Sequence, residues 1–189
     1  MFSIYTNQKQ KMKKIFYLLS FLAISAFATS CEKAAAFLLP IEMPLNFSVS
    51  ISQVVPGIQS TLGTSVVNYN LETEIRSKTS GELGADFIKQ ILVKDINIKL
   101  TNADATNNLG NFESLSFSFN NNGAAPVVIG PFAIPATANA QHTIQVTNSP
   151  NIRQFFTGNN VTFNISGKAR SGTNKTLNAD ASATMIFDK

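Results

Sequence analysis

From Leu45 to the C-terminus, apolar residues recur at every second position, and this period of two restricts the fold more than any other feature. Side chains that alternate in this way belong to strands with one buried and one wet face, whereas a helix repeats its buried face every three or four residues. Phe47, Val49 and Ile51 alternate with Ser48, Ser50 and Ser52, and Val67, Tyr69, Leu71, Thr73 and Ile75 alternate with Asn68, Asn70, Glu72 and Glu74. Leu92, Ile96, Ile98 and Leu100 read as one face of the next strand, with Val93, Asp95, Asn97 and Lys99 opposite. Then follow Leu115, Phe117 and Phe119; a short run at 127–129; Ile144 with Val146; Val161, Phe163 and Ile165; and a last strand through Leu177, Ala179, Ala181, Ala183, Met185 and Phe187. About eight strands, separated by turn formers such as Pro56 with Gly57 and Ser171 with Gly172, predict an all-β protein, an antiparallel sandwich. Helical turns are expected only at 84–90 and 151–156. An aspartate placed at Phe117 or Phe163 would meet no partner in such a core and should cost several kcal/mol.

Ahead of the strands, Lys13 and Lys14 precede an uncharged stretch at 15–28. It is too short for a membrane span of roughly 20 residues and suits the apolar centre of a signal peptide. Met12 then reads as the start of a compact leader. The chain is accordingly expected to divide into a signal peptide at 1–30, a tether at 31–44 kept extended by Pro40 and Pro44, and a domain at 45–189 that tolerates trimming at Leu45. The charge follows this division. Lys9, Lys11, Lys13 and Lys14 leave with the leader, so 15 Lys and Arg fall to 11, equal to the 11 Asp and Glu, and the net charge of +4 vanishes. A neutral domain has no surplus of cations for phosphates, and no nucleic-acid partner is expected.

Ala28, Thr29, Ser30 and Cys31 resemble the lipobox of bacterial lipoproteins, with Ala28 where that pattern most often has leucine. The resemblance implies that the Cys31 thiol receives a diacylglycerol, that the leader is cut just before it, and that the new amino terminus is acylated. Two or three acyl chains exceed the single chain that anchors only marginally, so the membrane partner would be held through Cys31. Cys31 is also the one cysteine in the chain, which excludes an internal disulfide and a thiolate metal site.

Candidate chemistry is sparse. A Ser-His-acid hydrolase needs an imidazole, and the single histidine, His142, comes without a G-x-S-x-G turn. Glu72 and Glu74 read as two acids on one strand face, a solvated edge more than a glycosidase pair. Asp86, Asp95, Asp104 and Glu113 form no visible constellation, and no metal-ligand spacing or phosphate-cradling loop occurs, so neither cofactor nor metal is expected. Beyond the leader the aromatic residues are Tyr69 and phenylalanines, with no Trp, which disfavours sugar stacking and aromatic-anchored binding. Phe155 and Phe156 leave two readings open: one ring exposed in a contact patch, or a helical plug closing the sandwich.

The leader, the ATSC box and the segments ILVKDINIKL, FESLSFSFNNNG, NIRQFFTGNNVTFNISGKA and FD together resemble small Bacteroidetes lipoproteins with an immunoglobulin-like β-sandwich, over roughly residues 84–188. The resemblance implies that fold and an outer-membrane location, facing the cell surface or the periplasm, and carries no catalytic motif. The functional expectation is a non-enzymatic, lipid-anchored structural, adhesive or accessory binding module of the envelope. The alternative is a glycan- or peptide-holding accessory of an outer-membrane nutrient-uptake system, working through loop 102–111 or 120–126 with a glycan or envelope-protein partner.

Overall fold

Strand β1, Ile41–Ile51, begins four residues before the expected domain start and alternates strictly, burying Met43, Leu45, Phe47, Val49 and Ile51. The computed structural model describes residues 39–121 and 124–189; the leader, Cys31 and most of the tether lie outside them. Residues 41–44, expected in the tether, belong to the sheet because Ile41 to Pro44 pair in register with Phe187 to Thr184, so trimming at Leu45 would remove the buried Met43.

Seven more strands follow: β2 Gln59–Asn68, β3 Gln90–Leu100, β4 Phe112–Asn121, β5 Ala124–Ala133, β6 Gln141–Gln145, β7 Asn160–Ala169 and β8 Leu177–Asp188. They form two four-stranded antiparallel sheets, ordered β1-β8-β3-β6 and β2-β7-β4-β5. The first strand pairs with the last, the second with the seventh, the third with the sixth and the fourth with the fifth. This is one long hairpin rolled onto itself, and rolling adds the β3–β8 and β4–β7 pairs. The order is that of a double-Greek-key jelly roll. The sandwich is therefore as expected, but its immunoglobulin-like character is corrected: that fold pairs sequence neighbours such as its first two strands within a sheet, whereas here β1 and β2 lie in opposite sheets.

The two inner faces differ in size. The interior strand β8 contributes Ala179, Ala181 and Ala183, while the second sheet contributes Phe112, Phe117, Phe119 and Phe163, all buried. Small residues opposite large ones let the layers interdigitate at crystal-like density, and Phe47 of β1 stacks on Phe163 of β7 at 4.7 Å.

Three stretches depart from the alternation: in β4 a register shift buries Ser116, an outward position in the period of two, along with Leu115 and Phe117, and two others change more. Residues 71–75, expected as strand, are the first turn and more of helix α1, Leu71–Lys78. Leu71 and Ile75, both buried, satisfy a four-residue helical spacing as well as a period of two. What decides between them is the cap: the Asn70 side chain accepts from the Thr73 N–H, Glu72 and Glu74 sit at the positive end, and Arg76 and Lys78 at the negative end. In β3 the register shifts between Val93 and Asp95, a bulge that buries Val93 and turns Leu92 partly outward, the reverse of the expected facing.

Candidate functional site

The groove that the fold leaves open lies over the outer face of the first sheet, beside the line where its edge strand β1 meets β2. At one end the edges are sealed: the Ser52 N–H donates to the Leu62 carbonyl at 3.2 Å, and Gly63 lies so close to β1 that a Cβ there would stand 2.6 Å from the Ser50 carbonyl oxygen. Only glycine permits that approach. Toward Asn46 on β1 and Asn68 on β2 a cavity of about 580 Å³ opens. Val66 and Val67 of β2 supply its apolar side chains, the ring of Phe47 and the methyl of Ala181 being turned to the inner face of the sheet, and Asn46, Asn68, Asn97, Lys99, Asp180 and Ser182 are among its polar groups.

Register brings these residues together from four strands. Asn46, Ser182 and Asn97 stand opposite one another across β1, β8 and β3, and Ser48, Asp180 and Lys99 form the next row. Two of the polar groups are held from behind. Ser48 donates to one Asp180 carboxylate oxygen at 2.7 Å, and Gln141 of β6 donates its amide to the Asn97 side-chain oxygen at 3.2 Å. Lys99 faces Asp180 across the ladder without an ion pair among the described residues, although four other pairs are formed. Period-two reading places all these side chains on outward positions; no signal in the sequence marks them as neighbours.

The expected site residues go elsewhere. Phe155 and Phe156 lie on a short 3-10 turn, Arg153–Phe156, and both are buried, Phe155 facing Phe119 at 6.4 Å and Phe156 meeting the edge of Tyr69 at 5.4 Å. The contact patch is thus corrected to a plug. Adjacent rings point apart, but the end of the sandwich offers a partner on each side. His142 sits on edge strand β6 opposite Ile98, half-buried. Glu72 and Glu74 belong to α1, not to one strand face. Glu72 accepts from the Ala85 N–H and from Arg76, which hold its carboxyl below the ordinary range.

Loop 102–111 is tied down by hydrogen bonds within itself and to residues 171–175. Lys175 and Asn107 hold the Asp104 carboxyl well below the usual carboxylate range, assisted by the Thr106 N–H. Asn107 accepts from the Asn174 N–H, and Asn111 donates to Thr106, Ser171 and Gly172 while accepting from the Asn108 N–H. Acids shifted in this direction stay ionised and are not poised for proton transfer near neutrality. The Tyr69 hydroxyl moves the other way, pushed up by burial and then by Glu74, and has no hydrogen-bond partner among the described residues. Among those residues no group of three His, Asp or Glu side chains could hold a metal ion.

No protein-family model matches the chain, and no curated protein matches it. Among solved structures it is similar to the cyanophage Pam1 capsid asymmetric unit, at 8% identity and a TM-score of 0.37 over 79% of this chain and 86% of that one. It is also similar to the infectious bursal disease virus VP2 subviral particle, at 7% identity and a TM-score of 0.36, where the match covers 79% of this chain and 33% of the other. A third, the nora virus structure, matches at 8% identity and a TM-score of 0.33 over 78% of this chain and 60% of that one.

Proposed function

We propose that this chain is a lipid-anchored cell-envelope protein without catalytic activity, a β-sandwich held at the outer membrane through Cys31 and working as a structural, adhesive or accessory binding module. The observation that carries the reading is the position of Ala28, Thr29, Ser30 and Cys31 directly after a signal-peptide core and nine residues before β1. Nine residues reach at most about 30 Å, so the sandwich would stand close to the bilayer. Charge neutrality after loss of the leader supports a partner other than nucleic acid.

The test is metabolic labelling with a palmitate analogue and membrane fractionation of the intact chain and of Cys31→Ser. Label and membrane retention in the intact chain, both lost in the variant, support the anchor; retention of the variant refutes it. Shaving intact cells with an impermeant protease then separates a surface domain, which is cleaved, from a periplasmic one, which survives until lysis. The second reading, an accessory that holds a glycan or peptide for a transporter, draws its support from the groove beside β1 and β2.

A further inference from the structure

We infer that the groove beside β1 and β2 is a binding site for an uncharged polyhydroxylated ligand, a neutral saccharide chain. The inference rests on the reading of the domain as a binding module and is independent of the lipid anchor.

Its size comes first. A cavity of about 580 Å³ falls within the range of small-molecule sites, roughly 300–1,000 Å³. Its polar groups are available as well. The Asn46 and Asn68 amides and the Ser182 hydroxyl have no hydrogen bonds to other described residues, and Asn97 keeps its amide N–H₂ free because only its oxygen is engaged by Gln141. Asp180 spends one carboxylate oxygen on Ser48 and keeps the other.

These groups also share a character. Amides and hydroxyls both donate and accept, as do the hydroxyls of a sugar, and a carboxylate oxygen can accept from neighbouring hydroxyls on one ring. The single cation, Lys99, is balanced by the single anion, Asp180, so the groove carries no net charge to select a phosphate or a basic peptide. Ser48 and Gln141 restrict Asp180 and Asn97 before a ligand arrives, which lowers the ordering cost of binding. Val66 of β2, 63% exposed beside the groove, provides a small apolar surface for the C–H side of a sugar ring. The ring of Phe47 stacks on Phe163 in the core and faces away from the groove, which therefore offers no aromatic stacking platform. Recognition would rest on a few net hydrogen bonds, with dissociation constants on the order of 1 mM.

The experiment is saturation-transfer NMR on the full chain in a sugar-free detergent. The probes are the neutral hexasaccharides of α-glucan, β-glucan, β-mannan and β-xylan, with hexagalacturonate and hexaalanine as charged and peptide controls. The expected result is transfer to at least one neutral hexasaccharide at about 10 mM, weakened about tenfold by Asn97→Ala and by Asp180→Ala. The two changes lie on different strands and outward positions, and unchanged melting of either is enough to read the result. Transfer to none of the four, transfer only to the controls, or binding unaffected by a well-folded variant would each overturn the assignment. None of these outcomes touches the anchor, which fails or stands on Cys31→Ser alone.

Discussion

Loop 102–111 and the groove beside β1 and β2 are built from the same polar residues and use them in opposite ways. In the loop, Asn107, Asn108 and Asn111 turn their amides inward onto backbone groups that would otherwise lack partners, and Asn111 alone ties residues 106, 108, 171 and 172 together. In the groove, Asn46 and Asn68 stand on the edge strands β1 and β2, where the regular ladders to β8 and β7 ask nothing of a side chain, and their amides make no hydrogen bond to other described residues. The same side chain is structural where the backbone is irregular and available where it is regular.

A charge in the core beneath the groove should do the most damage. Phe163→Asp places a carboxylate in the core against Phe47 and Phe119, with no partner in reach. It should cost about 4 kcal/mol or more, read as loss of cooperative thermal unfolding or a melting temperature at least about 10 °C lower. An unchanged melting temperature would mean that Phe163 does not face the core.

Asn111→Ala then tests the loop. Removing a 7%-exposed amide that donates three bonds and accepts one leaves several buried groups unpaired, and should cost about 2–3 kcal/mol by denaturant titration. The matching change in the groove, Asn46→Ala, should stay within about 0.5 kcal/mol. If the two cost the same, the contrast between spent and free asparagines fails.

Acid sharpens the same contrast. The Asp104 carboxyl is depressed in the folded state, first by Lys175 and next by Asn107, so its contribution is complete above the ordinary carboxyl value of 3.8. It is lost as pH falls from there toward the lower folded value. Melting temperature should therefore drop on acidification below about pH 4, and Asp104→Asn should flatten that acid limb while leaving its shape above pH 5 unaltered.

Much of the fold was legible in the period of two. It identified the inward residues of β1, β7 and β8 correctly, because strand side chains alternate whatever the strand pairs with. It failed where two periods coincide, at Leu71 and Ile75, and there the Asn70 cap with its flanking charges was the readable signal for α1. It failed again at the β3 bulge, since an extra residue in a ladder is defined only against the partner strand. The pair Phe155 and Phe156 posed a choice that only the surrounding rings resolve.

The groove was not legible at all. Its groups come from residues 46, 68, 97, 99, 180 and 182, each an ordinary outward position in its own strand. Local alternation alone specifies that this chain makes one-sided strands, and which side of most of them is wet, because Cβ direction is a local property of the backbone. Strand order was decided by tertiary structure, through the rolling of a hairpin whose first and last strands lie more than a hundred residues apart. That same roll set the edges of β1 and β2 side by side, sealed at Gly63 and open at Asn46.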